Sequence, residues 1–127
     1  MSNTEKTNSN DEPPILDSNK IQSIKDLGEG DDEFFIQLID LFFERVPTLI
    51  GEIKEALKSK NSHKLERSSH ALKGSSGNLG AMKLMQIAEI LENKGRSSEW
   101  SGVELLVEDL AYLYPLTKQS LEEHRPN

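Results

Sequence analysis

Apolar residues recur every three or four positions along most of this chain, which is the spacing that gathers them on one face of an α-helix. No segment alternates apolar and polar residues as a half-buried strand would. The longest stripe lies in the second predicted helix and consists of Phe35, Leu38, Phe42, Val46, Leu49, Ile53 and Leu57. The pattern therefore predicts an all-α protein.

Polar or glycine-containing turns divide the pattern into five predicted helices. Asp17 can cap a short first helix, which ends at Gly28. The second helix begins at the acidic residues 31–33, whose charge is favourable at a helix N-terminus, and a polar run closes it. The third runs from about 63 to 77 or 78, and the fourth follows at once and stops near Gly95. The fifth carries the stripe Val103, Leu106, Val107, Leu110 and Leu113.

Two prolines lie inside this pattern. Pro47 predicts a kink near Phe43, where one backbone hydrogen bond is lost, unless two helices meet there. Pro115 predicts a break or kink before a weaker tail that carries Leu116 and Leu121. Several amphipathic helices joined by short turns favour an antiparallel helical bundle with an additional short helix at the N-terminus.

The charge and composition of the 127 residues exclude several kinds of protein. A net charge of -7 and a pI near 5.0 disfavour a nucleic-acid partner, because such binding depends on neutralising phosphates. The absence of cysteine excludes disulfides and cysteine-bound metals. No apolar run is long enough for a membrane span, and the N-terminus lacks the apolar core of a signal peptide. We therefore expect a soluble, cytoplasmic protein that has no membrane partner.

The first residues differ in composition from the rest. Residues 1–14 contain almost no apolar side chains, so ordering them would bury too little surface to offset the entropy cost. We predict a disordered tail there and a single helical domain over residues 15–124. A chain of this length is long enough to bury a core in one domain.

The third predicted helix carries glycines beside a histidine. A glycine in a helix interior costs about 1 kcal/mol relative to alanine, so Gly74 and Gly77 call for a reason. His70 falls on the side opposite the stripe that can face a core, which consists of Leu65, Ser69, Leu72, Ser76 and Leu79. His70 is therefore expected to be exposed, and access to it is a reason for the glycines.

The residues around His70 suit the transfer of a phosphoryl group. A neutral imidazole offers one ring nitrogen with a free lone pair, and attack on phosphorus by that nitrogen gives phosphohistidine. Lys73, one turn along the helix, can place a positive charge near the phosphoryl oxygens, and Gly74 leaves room for a bulky donor. Glu66 and Gly77 also lie at helical spacing from the imidazole.

The stretch from residue 70 to residue 80 resembles the signature of histidine-containing phosphotransfer (HPt) domains. The matching positions are His70-x-Leu72-Lys73-Gly74-Ser75-Ser76-x-x-Leu79-Gly80. The likeness extends over about residues 31–121 and includes the segments 41–47 and 91–96. It implies a four-helix bundle and a phosphorelay intermediate, whose His70 accepts a phosphoryl group from the aspartate of one receiver domain and passes it to the aspartate of another.

The resemblance also implies roles for the residues near His70. Lys73 matches the lysine beside the phosphoryl group, and Gly74 matches the small residue that lets the receiver approach. Arg96 stands where some members carry an arginine that supports the active face. We assign Gly74, Gly77 and Arg96 to partner docking. Glu92 stands where some members carry a glutamine, and because an acidic group would repel a phosphoryl group we give it no part in stabilising phosphate.

The same resemblance implies a phosphocarrier without ATP-dependent kinase activity of its own. The glycines at 74, 77 and 80 also lack the pattern of a nucleotide-binding loop. The implied partners are receiver domains of response regulators, a hybrid sensor histidine kinase, or both. The receiver would supply Mg²⁺, while this chain would need no cofactor and bind no metal. We expect it to act as a monomer.

The residues alone leave two other functions open. His63, Glu66 and His70 share one helix face and are possible zinc ligands, although three ligands along one helix converge poorly. A purely structural helical adaptor would use Met82, Met85 and the leucine stripes only as core. That function leaves the glycines opposite the core unexplained.

Overall fold

A computed structural model describes residues 12–126, and these residues fold into five α-helices with no β-strand. The helices are α1 (Ser18–Leu27), α2 (Glu33–Ser59), α3 (Ser62–Asn78), α4 (Met82–Arg96) and α5 (Val103–His124). None of these helices is both long and apolar enough to cross a membrane. The prediction of an all-α protein is confirmed.

The four longer helices form a closed bundle. α3 packs against α2 and α4, and α5 packs against the same two helices. The turns between consecutive long helices are short, so these helices run antiparallel. The short α1 packs against α2. This arrangement confirms the predicted four-helix bundle with an additional short N-terminal helix.

Polar side chains fix where two of the helices begin. Asp17 caps α1 as predicted, because its Oδ1 atom accepts hydrogen bonds from the backbone N–H groups of Asn19 (3.0 Å) and Lys20 (3.3 Å). Asn61 caps α3, since its Oδ1 atom accepts from the N–H of Lys64 at 3.0 Å. Such caps satisfy N–H groups that have no partner inside the helix.

Neither proline divides its helix. α2 is a single helix through Pro47, and α5 continues through Pro115, so the predicted break in the fifth helix does not occur. A proline in a helix interior costs about 3 kcal/mol. Buried side chains beyond each proline, such as Ile53 in α2 and Leu121 in α5, offset this cost.

The stripe of α3 that the sequence assigned to the core is buried. Its members are each at most 1% exposed and comprise Leu65, Ser69, Leu72, Ser76 and Leu79. His70 lies on the other, exposed side of the helix. The core therefore fixes the rotation of α3 about its axis and, with it, the side on which the histidine lies.

α3 and α4 approach each other closely at Gly95, in the last turn of α4. A Cβ atom built on this glycine would lie 2.6 Å from the backbone nitrogen of Glu66, where no side-chain atom fits. From the sequence, Gly95 had only the role of ending a helix. The close approach brings the end of α4 against the turn of α3 that precedes His70.

The predicted disordered tail, residues 1–14, lies outside the described residues except for its last three. The segment that follows is tied to the turn between α3 and α4. The N–H of Asp17 donates to the carbonyl of Gly80 at 2.8 Å, and the N–H of Met82 donates to the carbonyl of Ile15 at 3.0 Å. Gly80 has a φ of +76°, a left-handed conformation that glycine adopts readily.

Candidate functional site

His70 lies in the middle of α3 with its imidazole largely in solvent. Its side chain is 69% exposed, and its Nδ1 atom lies 2.8 Å from Oε2 of Glu92 in α4. Its other ring nitrogen, Nε2, has no hydrogen-bond partner among residues 12–126. The ring is therefore held at one nitrogen and accessible at the other.

Glu92 is buried, with 6% of its side chain exposed, and three basic side chains meet at its carboxylate. Oε2 contacts Nδ1 of His70 and lies 3.0 Å from Nη2 of Arg96, while Oε1 lies 2.7 Å from Nζ of Lys73. We refer to Glu92, His70, Lys73 and Arg96 as the Glu92 cluster. The sequence had singled out the three basic residues, and the structure brings them together on one carboxylate.

The hydrogen bond from Lys73 lowers the pKa of Glu92 below its ordinary value of 4.5. Burial acts in the opposite direction, because it disfavours the charged form, and the hydrogen bond from His70 lowers the pKa further. The net direction is downward, so Glu92 is an ionised carboxylate at neutral pH. Its charge is tolerated in a buried position because cations surround it.

The ionised carboxylate determines which nitrogen of His70 carries the proton. A carboxylate can only accept hydrogen bonds, so the bond between Glu92 and Nδ1 requires a proton on Nδ1. In the neutral imidazole the free lone pair is then on Nε2. Nε2 of this exposed side chain is thus the ring nitrogen that can act as a nucleophile.

Arg96 ties the end of α4 to α3. Its Nε atom lies 3.1 Å from Oε2 of Glu66 in α3, and its Nη1 atom donates to Oδ1 of Asn93 at 3.0 Å. Together with the bond to Glu92, these contacts hold the guanidinium in one orientation. Glu66, which the helical spacing placed near His70, therefore pairs with Arg96.

The two glycines that follow Lys73 have different surroundings. Gly74 is exposed, and a Cβ atom built there would meet nothing within 4 Å. The surface one turn from His70 is therefore open. Gly77 faces α4, because a Cβ atom built there would lie 3.0 Å from Sδ of Met85.

The contact between Glu92 and His70 is the one that sequence reasoning missed. The spacing of Glu92 and Arg96, four residues apart on one helix, is visible in the sequence. Which turn of α4 faces His70, 22 residues away, depends on how α3 and α4 pack. The one signal for this contact in the sequence was Glu92 itself, an acidic residue at a position where some HPt domains carry a glutamine.

The alternative zinc site lacks its ligand group. No three histidine, cysteine or acidic side chains among residues 12–126 lie close enough together to hold a metal ion. Glu66 is paired with Arg96, and Nδ1 of His70 is paired with Glu92. The geometry therefore gives the metal-binding alternative no support.

Comparison with known proteins relates this chain to one family. The family model described as Hpt domain matches residues 37–114, which is more than half of the chain. Multistep phosphorelay regulator 1 of Schizosaccharomyces pombe is 30% identical over 90 residues, which are 70% of this chain and 30% of that protein. The phosphorelay intermediate protein YPD1 of Candida albicans is 31% identical over 91 residues, which are 72% of this chain and 50% of that protein. The chain thus spans half the length of these relatives or less.

Solved structures show the same architecture. The histidine-containing phosphotransfer protein B (HptB) of Pseudomonas aeruginosa matches with a TM-score of 0.81 and covers 90% of this chain and 96% of its own, a likeness of fold at 24% identity. The yeast phosphorelay protein YPD1 matches with a TM-score of 0.63 at 28% identity and covers 69% of this chain and 55% of its own. With the family match over residues 37–114, these findings show that the chain belongs to the Hpt domain family.

Proposed function

We propose that this chain is a phosphorelay intermediate, in which His70 accepts a phosphoryl group from an aspartate of one receiver domain and passes it to an aspartate of another. The observation that carries the proposal is the exposed imidazole of His70, which is bound at Nδ1 by buried Glu92 and has no partner at Nε2 within the described part of the chain. Membership of the Hpt family and the likeness to proteins named as phosphorelay components support the same role.

Both transfers are displacements at phosphorus. In the first, the lone pair of Nε2 forms an N–P bond while the P–O bond of the aspartyl phosphate breaks, and the electron pair leaves with the carboxylate. In the second, a carboxylate oxygen of another receiver attacks phosphorus and the electron pair of the N–P bond returns to Nε2. Such reactions depend mainly on positioning and on neutralising the charge of the phosphoryl oxygens.

Lys73 supplies part of that neutralisation under this proposal. Its ammonium group is held one helical turn from His70 by its contact with Glu92. Gly74 adds no side chain one turn from His70, so a receiver can approach closely at that position. Arg96 and Gly77 complete the proposed docking residues.

The remaining chemistry belongs to the partners in this proposal. A receiver domain, on a response regulator or within a hybrid sensor histidine kinase, supplies the reacting aspartate and the Mg²⁺. The chain itself acts as a monomeric carrier in the cytoplasm, without ATP-dependent kinase activity. Its functional domain is residues 15–124.

The test is incubation of the chain with Mg²⁺ and a receiver domain that carries labelled aspartyl phosphate. The label is expected to move to the chain and to be lost in acid but retained in base, as phosphohistidine is. His70→Gln is expected to abolish labelling without a change in helical circular dichroism. His63→Gln, at an exposed position on the same helix, is the matched control and is expected to keep the label. Labelling of His70→Gln would contradict the proposal.

A further inference from the structure

Two arginines lie in the groove between α2 and α3, on the side of α3 that faces away from α4. Arg45 lines this groove from α2, and Arg67 lines it from α3. Both residues are exposed. Arg67 precedes His70 by three residues, which is about 4.5 Å along the helix axis. Ala71, the residue after His70, lines the same groove, so the two arginines lie beside the imidazole.

The two groove arginines have no acidic partner in the described part of the chain. The ion pairs that arginines form among residues 12–126 belong to Arg96 and Arg125. One carboxylate, that of Glu52, also lines the groove, but its Oε1 atom accepts a hydrogen bond from Oγ of buried Ser68 at 2.8 Å. The chain has 22 acidic against 15 basic residues, so acidic side chains are plentiful. Two neighbouring arginines without an ion pair therefore leave positive charge available to another molecule.

The cations on the α4 side of His70 differ in this respect. Lys73 contacts Glu92, and Arg96 contacts both Glu92 and Glu66. These pairs balance part of the positive charge within the chain itself. The unbalanced positive charge beside His70 thus lies on the α2 side, in the groove.

A receiver that reacts with His70 has to cover this groove. A stable protein–protein interface occupies about 800 Å² on each partner, which corresponds to a patch with a radius of about 16 Å. Arg67 is within one helical turn of His70, and Arg45 lines the opposite wall of the same groove. A receiver centred on the imidazole therefore removes water from both guanidinium groups.

We propose that Arg45 and Arg67 select the receiver partner by pairing with acidic side chains on the receiver surface that docks over His70. This inference rests on the proposed function. A guanidinium that loses water without meeting a carboxylate destabilises the complex, because its charge is left unpaired. Receivers with carboxylates opposite the groove are favoured, and receivers with neutral or basic groups there are rejected. Arginine suits this role because its planar group can bind both oxygens of one carboxylate.

The rate of phosphoryl acceptance tests this pairing. The donor is the labelled receiver that phosphorylates the wild type most rapidly, and quenched flow follows the label. In the double variant Arg45→Glu, Arg67→Glu the second-order rate constant at low receiver concentration is expected to fall at least about tenfold, because attraction becomes repulsion. At saturating receiver the rate is expected to stay close to that of the wild type, since the arginines act on docking and not on phosphorus.

The double variant Lys54→Glu, Lys58→Glu is the matched control, because it changes the net charge by the same amount. Both lysines are exposed on α2, and Lys54 lines the groove towards α5 on the other side of that helix. At about 150 mM salt, exposed charges more than about 8 Å apart are largely screened, so this control is expected to accept label at the wild-type rate. An unchanged rate constant in the arginine variant, an equal fall in the control, or an equal fall at saturating receiver would overturn the proposal.

A charge swap tests the selection of the partner. Acidic residues around the active site of the receiver are changed to lysine one at a time. At one position or more, the change is expected to slow transfer to the wild type and to speed transfer to the arginine variant. If every receiver variant affects the two chains equally, the arginines do not meet carboxylates of the receiver and the proposal is wrong.

Failure of this inference can be distinguished from failure of the proposed function. A wild type that accepts no label from any receiver contradicts the phosphocarrier function itself. A wild type that is labelled no faster than the arginine variant contradicts only the role of the groove. Circular dichroism shows whether the variants fold. Arg45→Gln and Arg67→Gln, which remove one charge each without reversing it, are expected to slow acceptance in the same direction and by less.

Discussion

At the scale of single residues, the Glu92 carboxylate joins His70 to the two cations beside it. The sequence predicted that His70 and Lys73 lie close to each other, because residues three apart on a helix share a face. The exposure of His70 was predictable as well, since the leucine stripe fixes the rotation of α3. The contact with Glu92 was not, because it depends on the packing of α4 against α3.

The lowered pKa of Glu92 predicts how the stability of the protein depends on pH. The hydrogen bond from Lys73 holds the pKa below 4.5, the ordinary value that applies when the chain is unfolded. The stabilisation from ionised Glu92 is therefore fully present above pH 4.5 and is lost as the pH falls through the lower pKa of the folded state. The difference in free energy of unfolding between the wild type and Glu92→Gln is expected to shrink over that range.

Urea denaturation from neutral pH to well below 4.5 measures this difference. Glu89→Gln is the control, since its exposed carboxylate has no hydrogen bond or ion pair with another residue of the described part of the chain. If the difference in free energy of unfolding between the wild type and Glu92→Gln stays constant, or grows as the pH falls, the predicted lowering of the Glu92 pKa is contradicted.

At the scale of the helices, periodicity predicted where each element lies but not that α5 continues through Pro115. α2 and α5 pass through Pro47 and Pro115 because buried side chains follow on the far side of each proline. Such burial is a property of the assembled bundle, so the presence of a proline in the sequence could not reveal it. Gly95 is a second case, because its close approach to Glu66 becomes evident only when two helices are packed together.

Gly74 gives a prediction that separates the stability of α3 from its function. A Cβ atom at this position meets no neighbour, so Gly74→Ala is expected to raise the free energy of unfolding by up to about 1 kcal/mol through the higher helix propensity of alanine. The same methyl group projects from the open surface beside His70. Phosphoryl acceptance from a receiver is therefore expected to slow, even though the fold becomes more stable.

Gly51 offers the matched control for this substitution. It is exposed in α2, and a Cβ atom built there also meets nothing within 4 Å. Gly51→Ala is expected to stabilise the fold by a similar amount and to leave phosphoryl acceptance unchanged. Calorimetry and the labelling assay measure the two effects. An unchanged rate of acceptance in Gly74→Ala would show that an open surface at this position is not needed.

At the scale of the whole molecule, the closed bundle holds the helix that presents the histidine. α3 packs between α2 and α4, and its inner stripe is almost completely buried, so His70, the proposed nucleophile, is carried on a firmly packed element. The sequence predicted the helices and an antiparallel bundle from amphipathic spacing and short turns, and the resemblance to HPt domains implied four helices in that bundle. The pairing of α3 with a particular turn of α4, which assembles the Glu92 cluster, needed the three-dimensional structure.

The measurement that most directly tests the relay function is a chase through two receiver domains. A receiver carrying labelled aspartyl phosphate is mixed with an unlabelled second receiver and Mg²⁺, either alone or with this chain. Rapid transfer of label to the second receiver is expected with the wild type and with His63→Gln, and no transfer is expected with His70→Gln. Equal transfer with His70→Gln, or label that reaches the wild type but never leaves it for a second receiver, would contradict the function of a phosphorelay intermediate.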